Sequence, residues 1–313
     1  MIELNGVTKK YGKFNAVDDV SFKVDKNELI ALLGPNGAGK TTVLKCIIGL
    51  VTFNGSIKVD GLDVKKSGVD VRRRVAYHPQ QVSLYNHMSV ADNLKFFAGV
   101  KRLDNDTISR SLEENGLKEH ASKKVSELSE GLKQRLMLAT TLLGDSPIIL
   151  FDEPSANLDI RGVLAFKEVV DSLSRKGKTI ILSTHLLSDI NEIANRIIVM
   201  NQGKLVTEGS INEIMREVEL NTRILITLVE KIDEQAVNDV EEMLRKAGAK
   251  TVSIEADRII VSVEAPDKIP VLRALDESGL VIKDFRVYDP SLEDAFLRIT
   301  GDEPKRSEVK NEV

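Results

Sequence analysis

The sequence contains a single cysteine, Cys46. That excludes an internal disulfide and any metal cluster built on several thiolates, and it suits a reducing compartment. No stretch approaches the roughly 18–20 apolar residues of a membrane span. The opening MIELNGVTKK has no apolar core behind a basic start, so no secretory signal is expected. If the protein works at a membrane, it is expected to do so from outside the bilayer, through a partner. A basic surplus is also missing: 44 lysines and arginines face 48 acidic side chains, for a net charge of −4. Nucleic-acid binding therefore gains no support from composition. Internal repeats and low-complexity tracts are absent. With 42% hydrophobic and 29% charged residues, the chain is neither disordered, collagen-like nor a disulfide scaffold. Its 313 residues are enough for about two domains.

Two short apolar runs open the chain, Met1–Leu4 and Val17–Val24, both with period-two character. Leu29–Leu33 (LIALL) is a compact apolar run ahead of a Gly-Pro-Asn-Gly turn and reads as a buried strand. Thr41–Leu50 has helical spacing, with Val43, Leu44, Ile47 and Ile48 on one face. Ser56–Val75 is expected to give further short strands. Residues 88–145 read as a helical insert, with helices over Val90–Val100, Thr107–Asn115 and Gly131–Leu143. Strands return at Ile148–Phe151, Thr179–Ser183 and Arg196–Asn201, with helices expected at Gly162–Lys176 and Leu186–Ala194. That alternation implies a parallel sheet covered on both faces. The pattern changes near Val218. Residues 218–300 then read βαββαβα, a small α+β domain of split βαβ type, and residues 301–313 as a frayed tail.

Residues Gly34–Thr41 (GPNGAGKT) match G-x-x-x-x-G-K-[ST] in full, between a strand pattern and a helix pattern. Glycines let the backbone curl until its N–H groups converge, and the helix N-terminus adds positive potential for phosphate oxygens. Lys40 can then reach the terminal phosphates, and the Thr41 hydroxyl can ligate Mg²⁺. Ile148–Glu153 is an apolar strand ending in two carboxylates, at the edge where open α/β sheets bind ligands. Asp152 is placed to hold the metal and Glu153 to polarise a water.

Further motifs follow in order. Leu128–Arg135 (LSEGLKQR), just upstream of the acidic strand, resembles the signature of ATP-binding cassette (ABC) ATPases. Tyr11 resembles the aromatic that stacks on adenine. Pro79-Gln80 resembles the glutamine loop, Ser155–Asp159 the loop after the acidic strand, and Ser183–His185 the histidine switch. Gln81 is an alternative to Gln80, and Asp159 could instead simply cap the next helix. The signature reads Ser129-Glu130-Gly131-Leu132 where Ser-Gly-Gly-Gln is usual in the family. Glu130 is expected to point away from the nucleotide. The resemblance covers residues 1–217. A narrower one lies at Pro290–Arg298, similar to the end of ATPase subunits that serve separate export-type permeases, among them natural-product resistance exporters and the nitrous oxide reductase maturation ATPase.

The resemblance implies an α/β fold: a P-loop ABC nucleotide-binding domain (1–217) with a helical subdomain, plus a small C-terminal α+β domain. It implies ATP and Mg²⁺ as cofactors. ATP would be held by Tyr11, Gly34, Asn36, Gly37, Ala38, Gly39, Lys40, Thr41, Thr42 and Asp159, and across a head-to-tail homodimer by the partner copy's signature, Ser129 and Gly131. The metal would be held by Thr41, Gln80 and Asp152. Catalysis would rest on Glu153, His185, Gln80 and Lys40. The implied partner is a separate polytopic permease, docked on the insert near Leu84, Tyr85, Phe96 and Phe97. The protein would then lie on the cytoplasmic face of the cell membrane. A soluble ABC-type ATPase acting on nucleic acid or ribosomes is the alternative. The single cassette and the lack of sustained heptads count against it. A binding-only sensor is disfavoured by Lys40, Asp152, Glu153 and His185 occurring together. Of Phe96 and Phe97, one is expected in the core and one at an interface, and Cys46 is expected to be a buried, inert thiol.

Overall fold

The computed structural model describes residues 1–80, 84–156, 158–186, 193–218, 221–233 and 236–300. The chain divides into two compact units, Met1–Ile211 and Asn212–Val313. The join falls a few residues before the change of pattern at Val218. The apolar spacing of the short helix there, Ile211–Glu217, does not tell which unit it belongs to.

The first unit contains strands β1 (Ile2–Tyr11), β2 (Phe14–Val24), β3 (Leu29–Leu33), β4 (Asn54–Val59), β5 (Leu62–Asp63), β6 (Val75–His78), β7 (Ile148–Asp152), β8 (Thr179–Thr184), β9 (Arg196–Asn201) and β10 (Lys204–Gly209). Its helices are α1 (Lys40–Ile47), α2 (Gly68–Arg74), α3 (Val90–Lys101), α4 (Asn105–Glu114), α5 (Glu130–Leu142) and α6 (Ile160–Arg175); α7 is Ile211–Glu217. One sheet has the order β10-β9-β3-β8-β7-β6 and is parallel except for β10. A second, antiparallel sheet has the order β2-β1-β4-β5.

Every residue of β3, β7 and β8 is buried. That explains their unbroken apolar runs, since a parallel sheet is covered on both faces. On one face, Ile30, Leu32, Ile148, Leu150 and Ile181 pack in a single core with Val43, Leu44 and Ile47 of α1 and with Val20, Phe22 and Val24 of β2. Helix α1 therefore lies between the two sheets. Each of its buried aliphatic side chains contributes about 1.5–3 kcal/mol by leaving water. On the other face, Phe151 meets Phe166 of α6 edge-on at 5.0 Å.

Three local readings need correction. β1 runs on to Tyr11 rather than stopping near Leu4, because a register irregularity between Leu4 and Val7 breaks the alternation that marks a strand in sequence. Gly68–Arg74 is a helix, not strand; it buries only Val71, too little to leave a periodic stripe. β10 and α7 lie in a stretch where no elements were expected. The expected helix over Leu186–Ala194 lies mostly outside the described residues, as does the tail beyond Thr300.

Helices α3 to α5 enclose their own core of Val90, Leu94, Ala98, Leu117, Leu136 and Ala139. Ser89, Asp104 and Ser129 cap the three N-termini through their side-chain oxygens. Phe97 packs against that core, whereas Phe96 is exposed.

The second unit contains β11 (Thr222–Leu228), α8 (Val237–Lys246), β12 (Ala249–Glu255), β13 (Arg258–Val263), α9 (Lys268–Glu277), β14 (Ile282–Tyr288) and α10 (Leu292–Thr300). The sheet order is β12-β13-β11-β14, all antiparallel. This is the split βαβ arrangement read from the sequence. Its core joins Ile224, Ile226, Ile259 and Val261 to Leu244 of α8 and Leu275 of α9.

Cys46 on α1 is fully buried, and burial pushes its thiol up to about 11. The reactive thiolate is therefore scarce at neutral pH and becomes the major form only above about 11. The native protein at pH 8 should resist iodoacetamide and react once unfolded; rapid labelling of the native protein would contradict this placement.

Candidate active site

After Leu33 the chain turns through Gly34–Gly39 into α1. A Cβ on Gly34 would stand 2.3 Å from the Met200 carbonyl oxygen, and one on Gly39 2.3 Å from that of Ala16. Gly39 also sits at φ 101°, which side chains disfavour. The loop is thus wedged between β9 and β2, and only glycine fits at these two points. Gly37, Ala38, Gly39, Lys40, Thr41 and Thr42 line an open depression of about 270 Å³, with Tyr11, Phe14, Ala16 and Glu153 forming its other walls.

Lys40 is 4% exposed. Its ammonium donates to the Gly34 and Pro35 carbonyl oxygens at 2.6 and 3.1 Å and lies 3.1 Å from Glu153 Oε1. A buried cation left unpaired would be very costly, so Glu153 balances the charge. Asp152 closes β7. Its Oδ1 accepts from the Thr41 and Ser183 hydroxyls, each at 2.8 Å, and its Oδ2 accepts from the Tyr77 hydroxyl at 2.9 Å. Burial and the charge of Asp152 push the Tyr77 phenol well above its ordinary value, which keeps it a donor.

Glu153 has φ 47°, a left-handed backbone that costs a non-glycine residue of order 1–3 kcal/mol. Its N–H donates to the Ser183 carbonyl oxygen at 3.1 Å. Its Oε2 accepts from Gln80 Nε2 at 3.3 Å and lies 3.5 Å from His185 Nδ1. That ring nitrogen is buried without a hydrogen-bond partner. One carboxylate therefore gathers Lys40, Gln80 and His185. His78, which ends β6 two residues before Gln80, is a different case: burial lowers its pKa to about 4, and its Nδ1 meets Thr141 Oγ1 at 2.9 Å, so it is a neutral core histidine.

The donor chemistry suits Mg²⁺, a hard cation that favours one or two carboxylates, hydroxyls, waters and nucleotide phosphates. Thr41 and Asp152 supply a hydroxyl and a carboxylate already in contact. Gln80 uses its amide nitrogen on Glu153, which leaves its carbonyl oxygen as a donor.

Other expected residues lie apart. Asn36 is exposed on the loop and Gly34 is buried beneath it; neither lines the depression. Ser129 caps α5, its Oγ accepting from the Leu132 N–H at 3.4 Å. Glu130 is exposed and paired with Lys133 at 2.7 Å. Gly131 is exposed, and a Cβ there would meet nothing within 4 Å. Asp159 acts as the N-cap of α6, accepting from the Gly162 N–H at 2.7 Å. None of Ser129, Gly131 and Asp159 reaches the depression. Tyr11 does, half exposed at the end of β1, with the Lys9 ammonium 4.9 Å from its ring centre. Gln81 and Asn157 lie outside the described residues.

Sequence reasoning missed Phe14 and Tyr77. Phe14 opens β2 beside Tyr11 and stays 61% exposed, an unusual place for a large apolar ring. Tyr77 is the one hydroxyl in the short strand Val75–His78.

A family model described as ABC transporter matches residues 17–156. The chain is 40% identical over 215 residues to the probable multidrug ABC transporter ATP-binding protein YbhF of Escherichia coli (strain K12), covering 67% of this chain. It spans only 37% of that relative's length. It is 30% identical over 317 residues to the daunorubicin resistance ATP-binding protein DrrA3 of Streptomyces coeruleorubidus, covering 98% of both chains. A solved structure described as an ATP binding subunit of an ABC transporter superposes with a TM-score of 0.63 at 30% identity, covering 69% of this chain and 92% of that one. A dimeric ATP-binding cassette in a post-hydrolysis state, bound to ADP and Pi, gives 0.61 at 25% identity, covering 67% and 98%.

Tyr77→Phe removes one donor from the buried Asp152 carboxylate. It should lower the stability of the nucleotide-free protein by about 1–3 kcal/mol, the worth of a hydrogen bond to a charged group. Urea unfolding measures this, and an unchanged midpoint would mean that the Tyr77 hydroxyl does not support Asp152.

Proposed function

The chain belongs to the ABC transporter family of ATP-binding proteins, and we propose that it binds and hydrolyses ATP to energise a separate, export-type membrane permease. The observation that carries this reading is the Glu153 carboxylate held between Lys40, Gln80 and His185 at the mouth of the phosphate loop. A nucleotide triphosphate entering the depression brings the anionic charge that Lys40 needs. The Lys40–Glu153 pair then opens, and the carboxylate is free to take a proton from an attacking water. Gln80 and His185 keep that carboxylate and the terminal phosphate in place. Mg²⁺, held by Thr41, Asp152 and Gln80, would neutralise charge on the β- and γ-phosphates. Tyr11, with Phe14 beside it, offers a ring face to the adenine.

Ser129 and Gly131 lie on the exposed first turn of α5, where the helix dipole favours an anion. A second copy, related by a two-fold axis, brings its own loop-bound ATP to that turn, which makes two identical sites. Glu130 is turned aside onto Lys133 and does not oppose the phosphates. Asp159 serves this interface by holding the start of α6.

No described helix is long and apolar enough to cross a membrane. In this reading the permease is a separate chain, and the protein sits on the cytoplasmic face of the membrane. The exposed Tyr85 and Phe96, stacked edge-on at 4.8 Å, form an apolar step on the helical part where the permease docks. Similarity along nearly the full chain to the Nod factor export ATP-binding protein I of Rhizobium etli, 31% identical over 97% of this chain, supports an export role that includes the second unit as an accessory domain. No observation favours nucleic acid as the partner.

Glu153→Gln should reduce steady-state ATP turnover roughly 10²–10⁴-fold, the usual worth of a general base. It should also accumulate an ATP-bound dimer visible by light scattering after gel filtration in Mg-ATP. Wild-type turnover in the variant would remove Glu153 from the chemistry, and a monomer in Mg-ATP would remove the dimer.

A further inference from the structure

Strand β14 is an edge: among the described strands it pairs with β11 alone. Phe285 and Val287 sit opposite Ile226 and Ile224, which are fully buried beneath the helices of the second unit. Phe285 and Val287 themselves are 49% and 41% exposed. The helices thus cover β11 and leave β14 bare on the same face. An open, apolar edge is a template for another strand, and soluble proteins normally blunt such edges. Here the charges on the strand, Lys283, Asp284 and Arg286, do not blunt it, because their order allows the strand to pair with itself.

We propose that β14 is a self-association edge, pairing antiparallel with β14 of a second copy about a two-fold axis at Phe285. A two-fold axis normal to the sheet keeps each face on its own side, so opposed residues must share a face. Only registers centred on a residue satisfy that condition. Centring on Asp284 sets Asp against Asp, and centring on Arg286 sets Arg against Arg, both unfavourable directly across a ladder. Centring on Phe285 sets each Asp284 against the other copy's Arg286, so one opposite-charge pair forms twice by symmetry. Asp284 and Arg286 already lie together, 3.9 Å apart on one exposed face. On the other face the two Phe285 rings meet, and each Val287 lies opposite the aliphatic stem of Lys283. The ladder between β14 and β11 is regular from Asp284 to Tyr288 and irregular only before it, so the charge pairs and the Phe285 contact fall in its regular part. The two four-stranded sheets would become one of eight.

This edge needs no nucleotide, so it is separable from the ATP-dependent contact proposed above. The test is sedimentation equilibrium of the full, nucleotide-free chain over a range of concentrations, for wild type, Asp284→Arg, Arg286→Asp and the double swap. Both side chains are solvent-exposed, so the fold should tolerate all three variants. Each single swap creates two like-charge pairs and should weaken the dimer roughly tenfold, while the double swap should restore it to within about threefold of wild type. Monomer at every concentration, single swaps equal to wild type, or a double swap as weak as the singles would each overturn the proposal. Adding Glu153→Gln with Mg-ATP to the same swaps reads the cassette contact on its own.

Discussion

An ammonium with 4% exposure needs an anion within reach, and Lys40 finds one in the Glu153 carboxylate 3.1 Å away. The rest of the first unit serves that requirement. The loop must curl tightly enough to bring Lys40 back over its own carbonyl groups, which forces glycine where Met200 and Ala16 press in. Helix α1 must start directly behind the loop, so it is locked between two sheets by Val43, Leu44 and Ile47. Glu153 must be turned toward the cation, and it takes a left-handed backbone to do so. A buried ion pair is weak evidence for stability. In the proposed function its sense is that a polyanion replaces one member.

The parallel register delivers the remaining groups to the same edge. Leu33 lies beside Thr184, Asp152 beside Ser183 and His78 beside Phe151. The loop after β3, the acids after β7, His185 after β8 and Gln80 after β6 therefore leave neighbouring strands at one level. That edge is where open α/β sheets place ligands. Chemistry here follows from strand register before it follows from any single side chain.

The parts legible in sequence were those with a local cause. LIALL and IILF read as buried strands because both faces are covered. The phosphate loop read clearly because its whole motif lies within eight consecutive residues, although the carbonyl groups that demand glycine at Gly34 and Gly39 come from Met200 and Ala16. The split βαβ order of the second unit was visible because its strands alternate and its helices carry an apolar stripe. Other features depend on distant partners and left no local trace. Tyr77 matters only because β6 lies beside β7. Phe14 reaches the depression only because the β1–β2 hairpin ends there. Helix α2 buries a single valine and so has no stripe to read. Ser129 and Gly131 were readable as a motif, yet one copy of the chain leaves them on the surface; in the dimer proposed above, what they would touch belongs to a second copy.

The second unit carries a different constraint, a sheet one strand wider than its helical cover. Its edge combines bare apolar side chains with a charge order that suits antiparallel self-pairing. The first unit's claim is the more central, and one structure tests it most directly. A crystal structure with Mg²⁺ and a hydrolysis-resistant ATP analogue should place the terminal phosphates within hydrogen-bond distance of Lys40 Nζ, with Glu153 released toward a water. A nucleotide bound elsewhere, or Lys40 still paired with Glu153 beneath a bound nucleotide, would contradict the account.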